Sequence, residues 1–361
     1  MDKSLQVIVA YLLTHVGLIF FMYPTDIIET LEAGHWTAIM LGYVIHVALL
    51  AVYLRGLKYG GPKSVIELFT GVGKWFAIVF LFPVALYFMM MIIITVRAYA
   101  EIVTLIFLDS TPLWAIMALM LAVSSLMTIF GVESIFRTGV LVALLFSPAL
   151  LLVFSLAFQN VEFLYWFPMI DERSATFSYV FSKPYLLSFF AFTGGFLFLG
   201  FIPSHIPYKP RKILIASTAL LPFFMLSVYV PLLTFGQSAA SDLQFPFITA
   251  IDTVNVSWLM FDRITLFFLL SLVGFSMIFL SLVMWKTGLL VRSAFKFMSP
   301  IITVLVIAAS IFLICLLIPD WQSVERLLWW NTLLRLYVML VIPITTLIVG
   351  FLHRRKGAIL A

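Results

Sequence analysis

The sequence predicts an all-α membrane protein of about ten transmembrane helices, arranged as two five-helix halves with the first and sixth helices interrupted. Three observations predict it. Of 361 residues, 64% are hydrophobic and 10% charged, and mean hydropathy is +1.17; no soluble domain of this length has that balance. Apolar runs long enough to cross a hydrocarbon core, about 20 residues each, recur along the whole chain. Glycine interrupts the first run at His15-Val16-Gly17 and the sixth at Thr193-Gly194-Gly195. Interruptions at matching places of two halves mark inverted-repeat transporter folds, where the broken backbone builds the ligand site. Backbone groups at membrane depth must be bonded within the segment, so the runs are helices.

Taken in order, the spans fall at approximately 5–31, 35–54, 75–108, 112–131, 137–158, 185–203, 213–235, 263–285, 298–318 and 329–352. They form one integral membrane domain over 1–361, with one repeat at about 5–158 and the second at about 185–352. The first run begins like a signal peptide, with Lys3 ahead of it. It is long, carries His15 and ends at Tyr23-Pro24 without a small-residue cleavage site, so it reads as a retained span. The third is long enough to tilt or project. Residues 159–184 hold the aromatic run Phe163 to Pro168, and residues 236–262 hold Phe245-Pro246-Phe247-Ile248. These loops read as interfacial amphipathic segments or, more sharply, as lids over a site.

The net charge of +5 is an orientation signal rather than a nucleic-acid footprint. Arg55, Lys58, Lys63, Lys74, Arg137, Lys209, Arg211, Lys212, Lys286 and Arg354 gather on one side. Asp26, Glu29, Glu32, Asp109, Glu162, Asp171, Asp252 and Glu325 gather on the other. By the positive-inside rule both termini are cytoplasmic, which an even number of spans satisfies. Tryptophans near the span ends, Trp258 and Trp285 among them, read as an interfacial belt. Cys315, the single cysteine, leaves no disulfide framework.

Unwound helices expose N–H groups that attract anions and carbonyls that attract cations, so a small zwitterion suits them. The candidate ligand set is Thr14, His15, Gly17 and Leu18 in span one, Thr193, Gly194 and Gly195 in span six, Tyr87 in span three and Ser271 in span eight. Ser276 is a further polar contributor. The ligand carboxylate is expected near Gly17, Leu18 and Ile19, and the amine near the carbonyls around Thr193. The plainer reading is that the glycines permit close helix packing and that His15 is a core histidine bonded to a neighbouring carbonyl. Arg97 and Glu101 share a helix face four residues apart, either as a neutralising pair or as an outer pathway. Met89, Met90 and Met91 near Tyr87 wall a pocket or simply pack.

His15, His35, His46, His205 and His353 show no metal-ligand spacing. Gly71-Val72-Gly73-Lys74-Trp75 is too short for a phosphate loop and precedes a membrane helix. Asn255-Val256-Ser257 is a formal glycosylation sequon. No nucleophile–base constellation is present, so no enzyme and no cofactor are expected.

Several stretches together resemble the B subunits of bacterial spore germinant receptors, the spore germination permeases of the amino acid–polyamine–organocation transporter superfamily. Gly71-Val72-Gly73-Lys74-Trp75 resembles that family's Gly-x-Gly-Lys-Trp before span three. Tyr87, Arg97-Ala98-Tyr99-Ala100-Glu101 and Thr111-Pro112 follow at the family's spacing. Gly195 and Pro203, with His205 beyond, and Phe245-Pro246 and Arg263 match further on. The first span departs: Gly17 and Pro24 keep their places, but Ile19 stands where the family often has a second glycine.

The resemblance implies a LeuT-like 5+5 inverted repeat and residence in the spore inner membrane. It implies assembly with an A-type membrane subunit and a C-type lipoprotein, and sensing of a small germinant, commonly an amino acid. A secondary transporter, a channel-like water or ion pathway, and a purely structural subunit are the alternatives. The only other expected partner is membrane lipid.

Overall fold

The computed structural model describes residues 2–106, 108, 110–193, 195–254 and 264–360, with residues 193 and 356–360 described by backbone only. Gly194, Asp109, Trp258, Arg263 and the sequon at Asn255 lie outside the described residues. All regular structure among the described residues is helical. Six helices are long and apolar enough to cross a membrane alone: His35–Gly60, Lys74–Ile106, Val132–Asn160, Pro210–Ser241, Thr265–Ala294 and Trp321–Arg355. The first span is a bent pair, Lys3–Ile19 and Tyr23–Thr30, with 56° between its halves. The shorter apolar helices Leu113–Ile129 and Pro300–Leu316 take the fourth and ninth places. The sixth place is segmented into Lys183–Ser188, Phe190–Thr193 and the 3₁₀ turn Leu197–Gly200. The expected ten places are thus filled in chain order.

Local sequence accounts for where these helices start. Asp2, Ser64, Asp171, Ser299 and Asp320 each cap a helix by accepting a backbone N–H two or three residues on. Such caps satisfy donors that the first turn leaves open.

The break in span one is not at Gly17. The helix runs through His15 and Gly17 to Ile19, and the turn is Phe20–Met22. Pro24 stands in the first turn of the next helix, where its missing N–H leaves no bond unmade. Gly17 instead brings span one against span eight: a Cβ there would stand 3.2 Å from the Phe275 carbonyl carbon and 3.3 Å from the Ser276 nitrogen. The plainer reading of that glycine, close helix packing, describes its place.

One loop, one aromatic-belt and two charge expectations also change. Pro246–Asp252 is a helix tucked into the bundle, with Phe247, Ile248 and Ile251 buried. It packs on span seven, the outer half of span one, span five and span eight rather than on the membrane surface. Lys286 and Trp285 are buried in span eight, so neither belongs to the charged face or the aromatic belt. The Lys286 ammonium sits 4.2 Å from the centre of the Phe88 ring of span three, a cation–π contact that offsets part of its desolvation. Asp26, expected on the outer surface, is only 5% exposed.

The end of the bundle that holds the start of span one is tied by Glu133, at the start of span five. It receives Lys3 at 3.4 Å, Arg137 at 3.2 Å and His205 at 3.1 Å. These pairs are partly exposed and each is worth little alone, but through Lys3 and His205 they join the first residue of span one to the turn after span six.

Spans two and ten cross at small residues. A Cβ at Gly56 would stand 2.6 Å from the Leu347 backbone nitrogen, and one at Gly350 would run into the Gly56 carbonyl oxygen. Backbone meets backbone there, as in small-residue membrane interfaces. Gly56→Ala is therefore expected to force the two helices apart and cost about 1–3 kcal/mol, the range for overpacking. A lowered thermal unfolding temperature in detergent, absent for the unhindered control Gly73→Ala, would show it.

Candidate functional site at the broken helices

Breaking a helix in a membrane frees carbonyls, and here each described one that matters meets a donor from another part of the bundle. At the end of the first half of span one, the Phe21 N–H turns back to Leu18. The Gly17 carbonyl is thereby released and accepts the Tyr99 hydroxyl of span three. At the outer half of span six, Arg335 of span ten donates to the carbonyls of Leu186 at 3.0 Å and Leu187 at 2.9 Å. Its other terminal nitrogen donates to Leu328 at 3.0 Å, and its guanidinium lies 5.4 Å from the Phe190 ring centre. Along the inner part of span six, the Tyr53 hydroxyl donates to Leu197 at 3.1 Å and the Tyr208 hydroxyl to Leu199 at 3.0 Å.

The expected site residues divide between this centre and its walls. His15 is fully buried, and its Nδ1–H donates to the Tyr11 carbonyl at 2.7 Å, which sets the tautomer. The ring faces Gly195 so closely that a Cβ at 195 would fall inside it. It also meets His46 of span two edge-on at 5.0 Å between centroids, and His46 in turn shares a 2.9 Å hydrogen bond with the Tyr11 hydroxyl. Thr14 donates to the same Tyr11 carbonyl at 2.9 Å. So His15 and Gly195 are brought together across spans one and six. Leu18 is buried at the turn of span one. Backbone at Thr193 closes the middle segment of span six.

Other expected residues stand elsewhere. Ser271 and Ser276 bond back to Phe267 at 2.6 Å and Val273 at 2.9 Å on their own helix. Tyr87 is buried in span three and within electrostatic reach of Arg335. Arg97 is 3% exposed. It pairs with Glu101 and donates to the carbonyls of Ile318 at 3.2 Å and Pro319 at 3.3 Å. That arrangement anchors the turn after span nine to span three.

Outside the centre lies a cavity of about 520 Å³. Its walls come from the outer halves of spans one and six, the chain after span seven and the start of span ten, and include Asp26, Glu29, Lys183, Gln244, Trp321 and Glu325. Sequence reasoning missed Arg335 and Asn331 altogether. The signal was present: an arginine and an asparagine one turn apart inside an apolar span are costly there and normally face the bundle.

This architecture defines the class: a LeuT-like all-helical membrane protein with broken first and sixth helices. Among solved structures it is similar to MhsT in complex with L-phenylalanine, with a TM-score of 0.65 at 14% identity over 97% of this chain and 98% of that one. It is also similar to a substrate-bound, Na⁺-coupled sialic acid symporter, with a TM-score of 0.55 at 14% identity over 99% and 90%. At that identity the likeness concerns the fold. A family model described as spore germination protein matches residues 3–323, and the chain belongs to that spore germination permease family. Spore germination protein B2 of Bacillus subtilis (strain 168) is 24% identical over 270 residues, covering 74% of this chain and 72% of that protein. Family and fold are those of transporter- and receptor-type proteins, not enzymes.

Removing a donor from a break strands a carbonyl at membrane depth. Tyr99→Phe is expected to cost about 1–3 kcal/mol for one unpaired carbonyl, and Arg335→Met more than that, because two carbonyls of span six lose their partner together. Thermal unfolding of the purified variants in one detergent measures both. Equal stability of Arg335→Met and the unchanged chain would show that span six does not depend on this clamp.

Proposed function

We propose that this chain is the nutrient-sensing subunit of a spore germination receptor. It binds a small germinant, an amino acid by preference, near mid-membrane and signals by a change of conformation. The observation that carries the reading is the joining of His15 and Gly195 across two broken helices within a germination permease family. The likeness to MhsT, solved with L-phenylalanine, supports an amino acid as the ligand class.

In this reading Thr14, His15, Gly17, Leu18, Thr193, Gly194 and Gly195 contribute to ligand binding, with Tyr87 and Ser271 as further contributors and Arg97 and Glu101 bracing the outer end. The two repeats, about 5–158 and 185–352, rock against each other, and ligand shifts the balance by binding one arrangement better. An A-type membrane subunit and a C-type lipoprotein read the shift. Both termini are cytoplasmic, and the membrane is that of the spore interior.

The test uses spores that depend on this chain for their nutrient response. Gly195→Ala presses a methyl group on His15 and changes how spans one and six meet. At equal protein abundance, the nutrient concentration for half-maximal germination is expected to rise at least about tenfold, equivalent to roughly 1.4 kcal/mol of lost coupling. An unchanged dose response would place the site elsewhere.

A further inference from the structure

The outer cavity carries a charge problem that its own walls do not solve. Asp26 lies one turn into the outer half of span one, lines the cavity and is only 5% exposed. Its Oδ2 has no hydrogen-bond partner, and no cationic group stands within ion-pair distance among the described residues. Arg335 acts on Asp26 electrostatically, yet its terminal nitrogens are committed to the carbonyls of Leu186, Leu187 and Leu328. The other ionisable groups in the cavity wall are Glu29, Asp242, Glu325 and a single cation, Lys183. A buried carboxylate left so is expensive, and the wall around it favours positive charge.

Spans one and ten carry further unpartnered buried atoms: the Tyr23 hydroxyl on the same helix, both amide atoms of Asn331, and Nε of Arg335. The Leu186 and Leu187 carbonyls of span six are already taken by Arg335. Within this cavity the recognition of a cationic group therefore falls to a side chain.

We infer that Asp26 is the recognition site for a primary ammonium group, so that this chain selects ligands bearing a free amine. The inference rests on the small-molecule reading given above, and it adds the group that is read, the residue that reads it and a cavity beyond the His15–Gly195 centre as the place of reading. An ammonium brings three donors: one meets the Asp26 carboxylate, and the others meet the cavity wall or water. Neutral ligands such as sugars, and ligands whose amine is acylated, leave that carboxylate as it is and gain nothing there.

The experiment uses the purified full chain in nanodiscs and reads thermal stabilisation against concentration. The probes are the twenty amino acids, the N-acetyl derivative and the methyl ester of each one that binds, and a set of neutral sugars. The expected result is stabilisation by at least one amino acid, loss of at least about tenfold in affinity on N-acetylation, and a smaller loss on esterification. Asp26→Asn is expected to weaken the same amino acid at least about tenfold, whereas Glu32→Gln, an exposed neighbour outside the cavity, leaves it unchanged. If Asp26→Asn does not fold, Asp26→Glu keeps the charge while displacing it, and the analogue series on the unchanged chain still decides whether the amine is read. Equal binding by the unchanged chain and Asp26→Asn or Asp26→Glu, or by the N-acetyl compound, overturns the inference and leaves the receptor reading standing. Binding of sugars alone also overturns the inference but not the receptor reading. No binding by any probe overturns both.

Discussion

A carbonyl released inside a membrane has to find a donor, and the arrangement of this bundle follows from how its breaks meet that demand. Water is absent at that depth, so an unpaired group costs far more than it would in a soluble loop. Tyr99 serves Gly17, Arg335 serves Leu186 and Leu187, Tyr53 serves Leu197 and Tyr208 serves Leu199. These donors lie in span three, span ten, span two and the chain after span six. Each break is thereby welded to a part of the molecule distant in sequence. A shift of either broken helix has to exchange those bonds, which is why such a shift is transmitted rather than absorbed locally.

Much of this was legible in the sequence because its signals are coarse. Apolar runs of spanning length and glycine-bearing first and sixth spans are properties of whole segments, and the helices came out in order along the chain. The position of the break in span one was harder. Gly17 drew the reading, yet the chain turns at Phe20–Met22, just ahead of Pro24 in the first turn of the next helix. The two glycines, Gly17 and Gly195, serve unlike ends: one admits the backbone of span eight, the other the ring of His15.

What the sequence hid was the partnering. Arg97 and Glu101 were visible as a pair by their spacing, but that Arg97 also holds the carbonyls of Ile318 and Pro319 depends on a turn more than 200 residues away. Arg335 drew no notice although it is the most committed side chain at the centre. Lys286 and Asp26 were assigned to surfaces by the sign of their charge, when each lies inside the bundle. Charge sums orient a membrane protein well and locate individual ionisable groups poorly, because burial is settled by neighbours that only the fold supplies.

A fold shared with symporters leaves two ways for binding energy to be used. A transporter spends it on crossing the membrane, whereas a receptor passes it to neighbouring subunits. The chain has the broken helices that both require, and the proposed sensing role needs only the first half of a transport cycle. Parallel binding and uptake of labelled amino acids by the purified chain in liposomes, without partner subunits, separates them. The account predicts saturable binding with no accumulation of solute. Accumulation against a gradient would contradict it and make the chain a transporter in its own right.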